Sequence, residues 1–95
     1  ADGEKDAKKQ KQHFDAAEKS FRKATESTDP VVKGSGYYNL GNTYYKQKRY
    51  KEAVESYRKS LRANPENDNA RYNLELSQRQ FKRKRSGNRA LINTG

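Results

Sequence analysis

The densest chemistry in this sequence is positive charge near its C-terminal end. Arg79 is followed by Lys82, Arg83, Lys84 and Arg85, with Arg89 beyond them. A run of this kind resembles a phosphate-binding or nuclear-import patch. Beside an anionic lipid surface each such cation contributes about 1 kcal/mol, so a membrane surface is one candidate partner. The same run also reads as the solvated end of a helix, where cations complement the backbone dipole. Nucleic-acid recognition ordinarily joins such a patch to stacking aromatics or a reading helix. Phe81 alone, on a face read as buried, does not supply that, so the pattern argues against nucleic acid. Catalytic chemistry has little to stand on. His13 is the single histidine and the chain has no cysteine, so neither a metal site nor an activated nucleophile can be assembled around it. Glu52, Glu55 and Glu75 sit on solvent faces or at ion-pair spacing from Arg58, Lys59 and Arg79. Gly34 and Gly36 punctuate a turn rather than a phosphate loop. The sequence reads as no enzyme, with no catalytic residue, metal or cofactor.

The elements that would position these groups are limited by composition. The chain has 95 residues, of which 29% are hydrophobic and 36% charged. That is one small domain with a modest core. No run of about 18 apolar residues occurs, so no helix is expected to span a bilayer, and no signal peptide is visible. Without cysteine there is no disulfide framework, and the compartment cannot be read from redox chemistry. The net charge of +10 is unevenly spread. Residues 1–33 carry eight basic and seven acidic side chains, residues 34–67 seven and three, and residues 68–95 seven and two. The field grows toward the C-terminus and would attract an acidic peptide, a membrane surface or nucleic acid.

Residues 1–12 form a polar lead-in, either a frayed helical start or a disordered arm. From there the periodicity is helical. Phe14, Ala17, Phe21 and Ala24 share one face, as do Tyr50, Ala53, Tyr57 and Ser60. Between them, Thr28 to Gly36 reads as a connection broken by Pro30 and the glycines, with Asp29 or Ser35 capping the next helix and Val31 and Val32 tucked under the turn. That helix is expected from about Ser35 to Gln47, and its partner from Tyr50 to Ala63, where Asn64-Pro65 stops it. Tyr72-Asn73-Leu74 then repeats Tyr38-Asn39-Leu40, and Ala70, Leu74, Ser77 and Phe81 form one stripe on a helix over 68–84. Ser86-Gly87-Asn88 is expected to end it, leaving 85–95 as a flexible basic tail.

The stretch from Gly34 to Asn67 carries more than periodicity. Tyr37, Leu40-Gly41 and Tyr44, then Ala53 and Tyr57 with three residues between them, and finally Pro65, follow the pattern W-x2-L-G-x2-Y, A-x3-F, P. This stretch resembles a tetratricopeptide repeat. The resemblance implies an all-α fold of antiparallel helical hairpins in a short right-handed stack. A half-repeat, a full repeat over 34–67 and a capping helix would together make a domain over 13–84. Gly41 would let the two helices of the hairpin approach closely. Leu40, Tyr44, Tyr57, Leu61 and Leu74 would form the core. The half-present first repeat suggests a piece cut from a longer protein.

The resemblance also implies a site. In these repeats the first helix of each unit lines a concave groove that holds an extended peptide or a partner helix. The matching positions are Tyr38, Asn39, Asn42, Tyr45 and Lys46, with Asn69, Tyr72 and Asn73 from the next unit and Leu76 at the edge of the set. Asn offers both a donor and an acceptor to a peptide backbone, and Tyr gives rigid contact area with a polar tip. The expected function is a protein–protein interaction module, an adaptor or scaffold whose partner is a protein or peptide of acidic character. The alternative is an electrostatic adaptor to nucleic acid or anionic membrane through the basic segment. The two-carboxylate clamp known in such repeats is incomplete: Asn39 fits it, but Asn69 and Asn73 stand where Lys and Arg are required. Asp29-Pro30, Tyr38–Asn42 and Tyr72–Leu76 are also similar to the repeat segment of bacterial Bat (aerotolerance-type) proteins, which would imply a periplasmic or envelope scaffold. Incomplete repeats at both ends leave open faces at Phe14/Phe21 and Phe81, through which copies could self-associate.

Overall fold

A computed structural model describes the backbone of residues 2–94 and the side chains of residues 3–87. Four helices follow one another: α1 (Asp2–Thr25), α2 (Pro30–Lys46), α3 (Tyr50–Ala63) and α4 (Asp68–Thr94). Each packs on its sequence neighbour, α1 on α2, α2 on α3 and α3 on α4, giving a flat slab of 50 × 34 × 17 Å. This is the all-α stack of helical hairpins expected from the repeat pattern. No described helix is long and apolar enough to cross a membrane.

The centre of the slab is small. Leu40, Tyr44, Ala53 and Tyr57 form the buried cluster, and Phe21, Tyr37, Tyr38, Tyr45 and Leu74 pack against it. Leu61, expected in this core, is only half-buried and stands outside the cluster. Gly41 has the role the pattern assigns it. A Cβ there would lie 2.5 Å from Tyr57 Cε1, inside the ring's own volume.

Several boundaries differ from the sequence reading. The lead-in is helical, continuous with the helix that carries Phe14 and Phe21. α2 begins at Pro30, five residues before the expected start. Asp29 is the N-cap, its side chain accepting from the Val31 N–H at 2.9 Å, and Pro30 takes the first helical position, where its missing N–H costs nothing. Val31 and Val32 therefore lie on an outer face, 63% and 43% exposed, rather than under a turn. Gly34 and Gly36 are not turn residues either; both are buried within α2. A Cβ on Gly36 would meet the Ala24 Cβ and the Thr25 nitrogen at 2.9 Å, so this glycine sets how closely α1 approaches. α4 likewise runs to Thr94, through Ser86-Gly87-Asn88. A single helical glycine costs about 1 kcal/mol, too little to end a helix.

Candidate functional site

The helix order fixes what meets what. α2 and α4 flank α3, so side chains of α2 and α4 converge above the Tyr57 of α3. Tyr57 is 1% exposed, and its hydroxyl donates to Asn42 Oδ1 at 2.5 Å. Asn73 Nδ2 of α4 donates to the same oxygen at 3.2 Å. Burial, with Tyr38 next in effect, pushes the Tyr57 phenol well above its ordinary value, so it remains a donor. Among the described residues, Asn42 Nδ2 and Asn73 Oδ1 are left without hydrogen-bond partners. Together they offer one donor and one acceptor, the complement of a peptide group. They border a recess of about 150 Å³ whose other walls are Tyr45, Lys46, Tyr57 and Leu76.

The expected groove residues thus divide. Asn42, Tyr45, Lys46 and Asn73 come together around one recess. Tyr38 is half-buried with its ring 6.1 Å from that of Tyr57, and it does not line the recess. Asn39 is half-buried, and its carbonyl accepts from Thr43 Oγ1. Asn69 and Tyr72 are exposed on α4 and do not line the recess. Tyr57 was assigned to the core alone. The signal for its second role was present: Tyr stands where the repeat pattern has Phe, and a buried phenol must find a hydrogen-bond partner.

A second polar cluster ties α1 to α2. Glu18 Oε1 accepts from the Tyr44 hydroxyl at 2.7 Å and from Arg22 at 2.8 Å. The Arg49 guanidinium lies 4.6 Å from the centre of the Tyr44 ring. The hydroxyl of Tyr44, then Arg22, hold the Glu18 carboxyl below its usual range. Burial, followed by the hydrogen bond to Glu18, raises the Tyr44 phenol.

In the basic run, Arg79 and Lys82 to Arg85 are all exposed on α4; Arg89 lies outside the described side chains. Phe81 is half-buried, with the Arg85 guanidinium 5.7 Å from its ring centre. Glu52 pairs with Arg49 at 2.7 Å rather than with Arg58 or Lys59, while Glu55 and Glu75 face solvent. His13 is exposed, its ring edge-on to Phe14.

No curated protein and no solved structure matches the chain, and the narrower likeness to Bat proteins gains no support from these comparisons. The central hairpin does have a match: residues 35–67 fit the family model of the tetratricopeptide repeat, a helical repeat whose usual role is to bind other proteins.

Proposed function

We propose that this protein is a non-enzymatic interaction module that holds an extended peptide or a partner helix in the recess between α2 and α4, acting as an adaptor or assembly scaffold. The observation that carries this reading is the Asn42–Asn73 pair. The Asn73 amide and the Tyr57 hydroxyl both donate to Asn42 Oδ1, leaving Asn42 Nδ2 as a donor and Asn73 Oδ1 as an acceptor beside the recess. Tyr45 and Leu76 add apolar contact, and Lys46 adds charge at the rim. Lys46 and the net charge of +10 favour a partner of acidic character. Binding here requires the partner's polar backbone to be matched, because a buried peptide group left unpaired costs about 1–3 kcal/mol.

Titration of a library of short acidic peptides, followed by amide NMR, tests this. Shifts are expected at Asn42, Tyr45 and Asn73, with loss of affinity in Asn42→Ala. Shifts confined to the solvent-exposed side of α3, around Glu55 and Arg58, would overturn the reading.

A second reading draws on the exposure of Lys82 to Arg85. It makes α4 an electrostatic adaptor to anionic membrane or nucleic acid. Its binding would fall steeply with salt and vanish on deletion of residues 82–95.

A further inference from the structure

A second recess lies beside the first, at the end of the slab where α2 turns into α3. Its volume is about 300 Å³, and its walls include Lys48, Arg49, Lys51, Lys84, Arg85 and Phe81. In sequence the basic run is a single segment. The fold adds Lys48 and Arg49 of the α2–α3 turn and Lys51 of the first turn of α3, so charges about 36 positions apart in sequence face one space. Lys84 Nζ comes within 3.5 Å of the Lys48 carbonyl, which closes the wall. Glu52 is the one carboxylate of this lining, and Arg49 already engages it at 2.7 Å. Four of the five lining cations are therefore left without a carboxylate in the wall, and the field in the recess is net positive.

The two recesses adjoin. Tyr45 lines the first and Tyr50 the second, and their rings meet edge-on at 5.3 Å. Both recesses follow the C-terminal direction of α2 and of α4. From Asn73 to Lys84–Arg85 the rise along α4 is about 17 Å at 1.5 Å per residue. An extended chain covers that in about five residues.

We infer that the recess formed by Lys48, Arg49, Lys51, Lys84 and Arg85 takes the carboxylates of an acidic peptide segment about five residues from the stretch seated between Asn42 and Asn73. This inference rests on the peptide-binding reading of the first recess and specifies where its partner must carry charge. Nucleic acid fits less well. Of the two aromatic rings in this recess, Phe81 is half-buried with the Arg85 guanidinium over one face and Tyr50 packs edge-on with Tyr45, a poor platform for stacking successive bases. A membrane surface fits less well because the cations ring a hollow, which admits side chains more readily than a plane.

The experiment uses two blocked synthetic peptides of about ten residues. One has an uncharged half followed by four Glu; the other has Gln in place of each Glu. Affinities are measured by fluorescence anisotropy at about 0.15 M salt against the wild-type chain, Lys84→Glu/Arg85→Glu, and Asn42→Ala. Circular dichroism confirms that each variant is folded; Lys84 and Arg85 are exposed, so charge reversal there leaves the core untouched. The Glu peptide is expected to bind about tenfold more tightly than the Gln peptide, as two or three exposed charge pairs supply. That preference disappears in Lys84→Glu/Arg85→Glu, while the Gln peptide keeps its affinity. Asn42→Ala weakens both peptides by the same factor.

Equal affinity for the two peptides, or a preference that survives the charge reversal, overturns the assignment of the recess while leaving the groove in place. A Glu preference that depends on Lys84 and Arg85 but ignores Asn42→Ala overturns the groove and retains the recess. No binding of either peptide overturns both. Anionic vesicles or a single-stranded oligonucleotide that displace the Glu peptide at far lower concentration overturn the choice of an acidic peptide as occupant.

Discussion

α2 and α4 begin from nearly the same words and end in different surroundings. Tyr38-Asn39-Leu40 recurs as Tyr72-Asn73-Leu74, 34 positions later. On α2 the next residue is Gly41, into which the Tyr57 ring packs; on α4 it is Glu75, which faces solvent. Tyr44 is buried and bonded to Glu18, whereas its counterpart Gln78 is exposed. Thr43 donates to the Asn39 carbonyl, but Ser77, in the same register and fully buried, has no partner for its hydroxyl. The difference follows from packing. α2 is enclosed by α1 and α3, while among the described residues α4 packs mainly on α3. A repeat position acquires its demand for a small, large or polar side chain from the helix that covers it, and a position that nothing covers is free to drift.

The largest test of this contrast compares the two leucines. Leu40 is 3% exposed within the central cluster; Leu74 is half-buried at its edge. Leu40→Ala should cost about 2–5 kcal/mol, which on a domain this small removes most of the stability. Leu74→Ala should cost less than half of that. Urea denaturation of both variants checks it, and equal losses would mean that α4 is as enclosed as α2.

How much of this was legible beforehand depended on whether the constraint was local. The Gly41–Tyr57 contact was readable, because both residues sit at fixed offsets in one hairpin. The start of α2 was not, since Asp29-Pro30 reads equally as a break or as an N-cap followed by proline at the first helical position. The capping bond from Val31 to Asp29 decides for the latter. The Glu18–Tyr44 bond spans 26 residues and belongs to no periodicity. The site was legible in part: Asn42, Tyr45, Lys46 and Asn73 converge, but Asn69 lies a turn before Asn73, and Tyr72, although next to Asn73 in sequence, faces solvent at 66% exposure. The recess at the α2–α3 turn was invisible, because only the antiparallel return of α3 and α4 brings Lys48 to Lys84.

The second test places alanine at the same register position of each helix. At Gly41 it would enter the volume of a ring that is itself 1% exposed and unable to swing away. Gly41→Ala should destabilise by about 1–3 kcal/mol, even though alanine favours helix by about 1 kcal/mol over glycine. Glu75→Ala, on an open face, should change stability by less than about 0.5 kcal/mol. Thermal melts of the pair separate the two effects. A stabilised Gly41→Ala would show that the close approach is not a constraint.

The third test reverses the sign. Ser77 has been stripped of water without gaining a partner, so Ser77→Ala should raise stability by about 1 kcal/mol. Thr43→Ala should lower it, because there a hydrogen bond is lost. A destabilised Ser77→Ala would mean that its hydroxyl is bonded in solution.

The smallest expected effect concerns pH and distinguishes the two sides of the α2–α3 hairpin, α1 on one and α4 on the other. The α1–α2 side depends on an ionised Glu18 held below its usual range by Tyr44 and Arg22. The α2–α4 side depends on the amides of Asn42 and Asn73, which do not titrate. A carboxyl with a lowered folded value contributes stability that is fully present above its unfolded value. That contribution is lost as pH falls through the folded value. Between neutral pH and about pH 3, the wild-type chain should therefore lose more stability than Glu18→Gln, and its α1 amides should lose hydrogen-exchange protection before those of α4 residues 70–80. The phenols of Tyr44 and Tyr57 are both raised, so their contributions hold up to the ordinary tyrosine value near pH 10 and are lost as pH rises through the folded values. On the alkaline side both sides of the hairpin should loosen, because Tyr44 bonds across to α1 and Tyr57 bonds up to Asn42. Acid therefore acts on one side of the hairpin, whereas alkali acts on both. An acid transition that opened α4 first would show that the central hairpin draws its cohesion from somewhere other than the Glu18 bond.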